Sequence, residues 1–233
     1  MKKITSVLFL FYCFSVGWAQ TVPPCTLEIT DAETFARDWT VIDVNSDVSA
    51  NTWAYNDGNA MYMQDKSNAA DDWLIAPAVT LEAGKAYKVS AYVKHSSTFG
   101  SDKQKIELKI GTAPTVEGLT TRLVYDESFQ SRLFVEKSGT FSPAESGVFY
   151  VGLRCYSESY NGDLYFQKIV IEEAPVYPAQ ITDLSIVAGE RGAMSATLSW
   201  TWPSSDHLGG ALSNLLGAKI YRGTDLVATL DTA

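Results

Sequence analysis

Lys105-Ile106-Glu107-Leu108-Lys109-Ile110 is the stretch that decides the fold. Charged and apolar residues alternate strictly in it, and this period of two is typical of a β-strand with one face in solvent and one in a core. Residues 87–94 repeat the alternation, and further short β-rich runs surround four positions: Leu123, Phe134, Val151 and Ile169. The chain is therefore expected to be built from sheets.

Turns and one short helix complete the pattern. Gly139 and residues 161–163 are among the turn signals that separate the β-rich runs. Thr30 and Glu33 predict a helix start of the capping-box type, and Phe35 follows on the face that packs. Many short strands without alternating helices indicate an all-β protein, with a jelly-roll-like β-sandwich as its main part.

The first 19 residues have the features of a signal peptide. Lys2 and Lys3 precede an apolar run at residues 7–14, and Gly17 and Ala19 supply the small residues that a signal peptidase requires. The run is shorter than the roughly 20 residues that span a bilayer. We therefore expect cleavage after Ala19, no membrane insertion of the mature chain, and a secreted, extracellular or cell-surface location.

The net charge of the chain limits the classes of partner that it is expected to bind. The formal net charge is −9, and loss of the two leader lysines, with no acidic residue, makes it −11. Phosphate backbones and anionic lipid headgroups attract basic surfaces. Nucleic acid and anionic membranes are therefore unfavourable partners, whereas cations and neutral polymers remain compatible with the charge.

Two cysteines remain once the leader is removed. Export permits a disulfide between Cys25 and Cys155. Cys155 also falls in phase with Val151 and Leu153 on the apolar side of a predicted strand, so a buried free thiol is the competing interpretation.

The composition changes after residue 173. Two prolines stiffen residues 174–178, which predicts an extended linker behind a first domain at residues 20–173. Residues 179–233 follow as a second β module, with three strands at residues 181–187, 196–202 and 218–222.

The first domain resembles the bacterial choice-of-anchor J, or cleaved-adhesin, domain over residues 26–173. The resemblance rests on the order and spacing of these elements: Phe35, Trp39 to Asp43, Asn45 to Asp47, Thr52-Trp53, Asp72 to Pro77, Gly84 and Gly147 to Gly152. It implies a jelly-roll-like sandwich, frequently stabilised by calcium, that adheres to a host protein, a matrix protein or a glycan. A fold by itself does not fix a ligand.

The second module resembles a fibronectin type III repeat. Residues 181–184, 198–200 and 219–222 match its first three strands. Sandwiches of this kind need about 90–100 residues to close two sheets. We therefore expect an incomplete fibronectin type III-like β-sandwich and a chain that is part of a larger polypeptide.

The calcium that the resemblance implies has candidate ligands in an acidic loop. Asp43, Asn45 and Asp47 alternate there, and oxygen-rich loops of this kind suit calcium. Asp72 and Asp163 are expected to reach the loop across one end of the sandwich. The alternative is that these residues only cap turns.

The remaining side chains indicate binding and not catalysis. Trp53, Tyr55 and Tyr160 lie near loops and are candidate ligand contacts, although large aromatic residues are also the usual filler of sandwich cores. Neither histidine, His95 or His207, belongs to a recognisable catalytic or metal motif. We expect a non-catalytic adhesion or binding module; the alternatives are a carbohydrate-binding accessory domain of a secreted hydrolase or peptidase, and a structural spacer.

Overall fold

A computed structural model gives the structure of the chain. It describes residues 21–47, 51–63, 67–97, 101–207, 209–212 and 215–231. The predicted signal peptide, residues 1–19, lies outside the described residues.

The described residues form strands almost throughout, with one short helix. In chain order the elements are β1 (Cys25–Glu28), α1 (Ala32–Asp38), β2 (Thr40–Asp43), β3 (Trp53–Asn56), β4 (Asn59–Tyr62), β5 (Asp72–Ile75), β6 (Val79–Leu81), β7 (Tyr87–His95), β8 (Gln104–Gly111), β9 (Thr121–Phe129), β10 (Val135–Phe141), β11 (Gly147–Cys155), β12 (Leu164–Glu173), β13 (Ser185–Ala188), β14 (Ala196–Ser199), β15 (Gly217–Arg222) and β16 (Asp225–Asp231).

Two six-stranded antiparallel sheets make up the main domain. In the first sheet the strand order is β10-β7-β12-β4-β3, and β1 pairs with the second half of β12. In the second sheet the order is β2-β5-β11-β8-β9, and β6 pairs with the first part of β11. The apolar sides of the two sheets enclose one core, so the expectation of an all-β sandwich is confirmed.

The alternation in β8 is confirmed by side-chain burial. Ile106, Leu108 and Ile110 are buried in the core between the sheets. Lys105, Glu107 and Lys109 point the other way. The two lysines remain partly exposed, whereas Glu107 is buried against Arg122 and Arg154, so its predicted exposure is wrong. Removing the three apolar side chains from water is favourable by about 1.5–3 kcal/mol each, which fixes the register of the strand.

The predicted helix is present, but its N-cap is one residue later than expected. Asp31, not Thr30, is the N-cap, and its carboxylate accepts a hydrogen bond from the Thr34 backbone N–H at 2.7 Å. Phe35 is buried, and Trp39 packs edge-on against Phe166 with ring centroids 5.3 Å apart. The helix therefore contributes its apolar face to the core.

A second, smaller core covers the outer face of the second sheet. Trp73 and Ile75 of β5 point outward, yet both are almost fully buried because Leu119 packs on them. Gly111 and Gly118 make this possible, since a Cβ atom on Gly111 would overlap the carbonyl oxygen of Gly118. Residues 112–120 consequently cover this face around β5, whereas Tyr125 of β9 stays 51% exposed.

The predicted disulfide is not formed, because Cys25 and Cys155 lie at opposite ends of the sandwich and are free thiols. Cys25 pairs with Ile171 on β12. The Cys155 thiol donates to Gln104, whose amide donates to the Gly162 carbonyl just before β12. From Gly162 to Ile171 an extended chain covers roughly 30 Å at about 3.3 Å per residue, whereas disulfide-bonded Cα atoms lie within about 7 Å.

The C-terminal segment forms two separate hairpins. Strand β13 pairs with β14, and β15 pairs with β16. Two of the three predicted strands lie close to β14 and β15, whereas the one expected at residues 181–187 begins only at Ser185, and β16 was not predicted. Most residues of the hairpins are exposed, and the fibronectin type III resemblance stays a prediction.

Within the described ranges, no helix has the length and apolar character needed to cross a membrane.

Candidate functional site

The acidic loop that follows β2 is held by its own polar groups. Oδ1 of Asp43 accepts a hydrogen bond from the Ser46 backbone N–H at 2.7 Å. The Asn45 amide donates to the Ala69 carbonyl at 2.7 Å and to Oδ2 of Asp47 at 3.2 Å. These bonds tie the loop to the segment before β5. They are the turn-capping interactions that the sequence left open as an alternative to metal binding.

Asp72 is the most enclosed carboxyl group of this region. It lies opposite Asp43 in the β2–β5 pair and on the same side of β5 as the core residue Leu74. Its side chain is fully buried. Oδ2 accepts a hydrogen bond from the Asp71 backbone N–H at 3.2 Å, whereas Oδ1 has no well-aligned donor among the described residues.

Burial changes the acidity of Asp72. Loss of contact with water raises its pKa to about 7, and the negative charges of Asp43 and Asp47 act in the same direction. The Thr52 hydroxyl lies close enough to lower the pKa in part, although its geometry falls short of a hydrogen bond. Asp72 is therefore held partly protonated at neutral pH.

Asp71 has a different role from its neighbour. It lies on the outer side of β5, where both of its carboxylate oxygens accept hydrogen bonds from the Arg154 guanidinium, at 2.7 and 2.8 Å. Arg154 also lies 3.6 Å from the buried carboxylate of Glu107. Asp71 and Asp72 thus face opposite sides of the sheet and do not act on a common substrate atom.

The structure places four of the five predicted calcium ligands around the loop after β2, namely Asp43, Asn45, Asp47 and Asp72, and leaves Asp163 apart from them. Asp163 precedes β12 of the first sheet, where its backbone N–H donates to the Ser96 hydroxyl at 2.7 Å. Among all described residues, no group of three or more His, Cys, Asp or Glu side chains lies close enough together to hold a metal ion. The arrangement therefore does not fit the calcium site that the resemblance implies.

Only one of the three predicted aromatic contacts is open to solvent. Trp53 is a core residue, 2% exposed, with its ring edge-on to Tyr62 and its indole N–H donating to the Asp72 carbonyl at 3.3 Å. Tyr55 lies on the same side of β3 and packs against the core. The prediction for Trp53 is wrong, because its ring lies in the core, whereas Tyr55 is only partly buried and stays a prediction. Tyr160 is 66% exposed.

The loop that carries Tyr160 is rigidly held. Tyr160 has a φ of 64°, a left-handed conformation that a bulky residue rarely adopts. The next carbonyl, that of Asn161, is contacted by the ring Nε2 of His95 and by the side-chain amide of Gln104. The Asn161 side chain accepts from the Lys103 backbone N–H at 3.2 Å. The Tyr160 ring is therefore presented from a fixed backbone.

Buried reactive groups near this loop are not arranged for catalysis. Cys155 is fully buried, which raises the pKa of its thiol to about 12, so the nucleophilic thiolate is absent at neutral pH. Its Sγ lies 3.3 Å from Gln104 and 3.6 Å from Ser157. His95 is committed to the loop carbonyl and contacts neither sulfur nor hydroxyl in the described structure.

The outer face of the first sheet carries a row of aromatic rings. Tyr92 of β7, Tyr165 of β12 and Phe134, just before β10, all lie on this face and are partly exposed. Lys94 Nζ lies 4.9 Å from the Phe134 ring centroid and 4.5 Å from that of Tyr165, and Lys168 Nζ lies 5.1 Å from that of Tyr92. We call these five residues the open face.

The open face was within reach of sequence reasoning. Val89, Ala91 and Val93 are the buried residues of β7, so the intervening Tyr92 and Lys94 must point outward by the period of two. The sequence alone does not show which outer face stays uncovered. That distinction depends on residues 112–120, which fold over the second sheet.

Comparisons with known proteins give weak similarities. No family model and no curated protein matches the chain. The chain is similar to the K1 cleaved adhesin domain of Lys-gingipain from Porphyromonas gingivalis W83, with a TM-score of 0.45 and 14% identity over 65% of this chain and 99% of that one. The K2 cleaved adhesin domain of Lys-gingipain matches with a TM-score of 0.44 and 15% identity over 65% of this chain and 100% of that one.

The chain is similar to the same degree to part of a xylanase. The CBM22-1-GH10 modules of Clostridium thermocellum endo-1,4-beta-D-xylanase 10B match with a TM-score of 0.43 and 16% identity. The match covers 65% of this chain and 28% of that one.

Proposed function

We propose that this chain is an exported, non-catalytic binding module that attaches a larger multidomain protein to a surface polysaccharide through the open face. The observation that carries the proposal is the row formed by Tyr92, Phe134 and Tyr165, three partly exposed rings on a sheet face that residues 112–120 leave uncovered.

Stacking explains why such a face suits a sugar chain. Aromatic rings present flat apolar surfaces that pack on the apolar faces of pyranose rings, and a β-sheet holds them at fixed spacing. Tyr92 and Tyr165 lie on adjacent paired strands, where Lys168 pairs with Tyr92 and Lys94 pairs with Tyr165. The two lysines add hydrogen-bond donors beside the rings.

Tyr160 extends the surface beyond the sheet. It follows Cys155 of β11 in the loop that leads into β12, and Asn161 fixes its backbone. When a ligand packs on an exposed ring of a rigid loop, the protein loses little conformational entropy. We therefore assign Tyr160 a supporting contact at the end of the open face.

A second candidate function is adhesion to a host or matrix protein through the hairpins. Ile186 and Val187 of β13 are 66% and 60% exposed, and Leu226 and Val227 of β16 are 53% and 60% exposed. Ile186 and Val227 line one groove, whereas Val187 and Leu226 alternate with them along their strands. Exposed apolar grooves of this kind are typical of protein–protein contacts.

Binding to immobilised polysaccharides and to matrix proteins tests the two candidates. We expect the wild-type chain to bind polysaccharide, and the Tyr92→Ala/Tyr165→Ala variant to lose at least tenfold in affinity. Tyr125→Ala is the matched control, because Tyr125 is 51% exposed but belongs to the second sheet.

The outcomes separate the candidates. Binding to matrix protein alone, removed by Ile186→Lys/Val227→Lys but not by the double tyrosine variant, would favour the hairpin surface. If the chain binds none of the polysaccharides or matrix proteins, both proposals are refuted and the chain is interpreted as a spacer.

A further inference from the structure

We infer that Lys94 makes the open face selective for polysaccharides that carry an anionic group, either a sugar carboxylate or a sulfate ester. The inference rests on the proposed function and adds the chemical class of its ligand.

Lys94 is held between two rings. It lies on β7 opposite Tyr165 of β12, and Val93 beside it pairs with Val135, which directly follows Phe134. Its ammonium group is within 5 Å of both ring centroids, at 4.5 Å from Tyr165 and 4.9 Å from Phe134. The rings shield two sides of the ammonium group from water and leave its remaining N–H donors directed away from the rings.

The other lysines of this face have carboxylate partners, and Lys94 does not. Lys88 forms an ion pair with Glu136, and Lys168 lies 3.8 Å from Glu28. In the described part of the chain, no carboxylate lies within ion-pair distance of Lys94. A positive group whose neighbours are rings is open to an anionic ligand group.

Two positive groups, Lys94 and Arg132, lie at this end of the face although the whole chain is acidic. Arg132, two residues before Phe134, is exposed and has no ion-pair partner among the described residues. Two carboxylates lie nearby: Asp163 directly precedes β12 and forms no ion pair with Lys94 in the described part of the chain, and Glu136, which pairs with Tyr92, forms an ion pair with Lys88. Glu172 is seven residues beyond Tyr165, roughly 23 Å along the strand, which exceeds the screening length of about 8 Å at physiological salt.

The strength of the preference follows from the partner. A charge-assisted hydrogen bond from an ammonium group to a carboxylate or sulfate oxygen is roughly twice as strong as one to a sugar hydroxyl. At this partly solvated position we expect about a tenfold difference in Kd between the anionic and neutral forms of one polymer.

Matched polymer pairs test the inference. The probes are polygalacturonate against its fully methyl-esterified form, and dextran sulfate against dextran, with Kd measured at 50 and 500 mM NaCl. Lys94→Met keeps the apolar stem and removes the charge, whereas Lys94→Arg keeps the charge. Lys88→Met is the control, since Lys88 lies on the same side of β7 outside the open face and already has a carboxylate partner, Glu136.

The expected result is tighter binding of the charged member in at least one pair, a preference that high salt weakens. Lys94→Met should abolish it, and Lys94→Arg and Lys88→Met should keep it. The pair that shows the preference identifies carboxylate or sulfate as the recognised group.

Equal binding of charged and neutral members, or a preference that Lys94→Met retains, overturns the inference while leaving the proposed function intact. Binding of poly-glutamate as tight as that of the charged polysaccharide would also overturn the inference, because the site would then recognise a carboxylate without a sugar. Failure to bind any polysaccharide would instead refute the proposed function.

Discussion

Replacing Asp72 with asparagine is expected to stabilise the domain at alkaline pH. The folded state holds a proton on Asp72 up to about pH 7, whereas an aspartate in the unfolded chain loses its proton near pH 3.9. Between these values the folded state binds more protons than the unfolded state. The free energy of unfolding therefore falls as pH rises from about 4 to about 7, and the contribution is flat above that range.

The size of the effect follows from the two pKa values. The difference between the pKa of Asp72 in the folded chain and in the unfolded chain changes the free energy of unfolding by at most about 4 kcal/mol, at about 1.36 kcal/mol per pH unit. About half of this change falls between pH 5.5 and pH 7. Asparagine has nearly the same shape, its Oδ1 can accept the Asp71 N–H, and its amide can face Asp43. We expect the advantage of Asp72→Asn over wild type to grow by about 2 kcal/mol from pH 5.5 to pH 8.5.

Urea unfolding in EDTA at several pH values measures this difference. Asp71→Asn is the control, because it removes the exposed-side ion pair with Arg154 and should lower stability without the same growth with pH. Stability curves of wild type and Asp72→Asn that run parallel within about 0.5 kcal/mol from pH 5.5 to pH 8.5 would refute the assignment of a buried, raised-pKa carboxyl group.

Three further predictions concern the same domain. Calcium chloride at 5 mM should leave the Tm of the EDTA-treated chain unchanged, because oxygens of the acidic loop already accept hydrogen bonds within its turn. An increase in Tm that Asp72→Asn abolishes would instead support the predicted calcium site. Gly111→Ala should lower the free energy of unfolding by more than about 2 kcal/mol, since its Cβ would overlap the Gly118 carbonyl, and a near-neutral effect would show that residues 112–120 do not cover the second sheet. A reducing agent should leave Tm unchanged, because Cys25 and Cys155 are free; a lower Tm would indicate a disulfide.

Local patterns in the sequence predict the elements of this fold well. The alternation around Leu108 identifies β8 because one face of the strand is buried, and the spacing of Phe35 and Trp39 identifies the packing side of α1. The cap was misplaced by one residue because Thr30 and Asp31 are both good capping residues, and the Thr30 hydroxyl donates to Asp31 instead.

Contacts between distant segments account for what the sequence could not predict. Gly139 was expected in a turn, but it lies inside β10, where the absence of a side chain admits the Leu123 backbone of β9. Trp53 was expected at a ligand because it follows a polar loop, yet the pairing of β3 with β4 turns it into the core. Such outcomes depend on which strand lies opposite, and sequence spacing carries no information about that.

The ligand surface can be located directly by NMR. Backbone amide shifts of the chain would be recorded during titration with a polysaccharide that it binds. The account predicts the largest changes in β7, in β12 and at Phe134, around the rings of the open face. Changes confined to residues 112–120 and β9, or to the hairpins β13–β16, would contradict it.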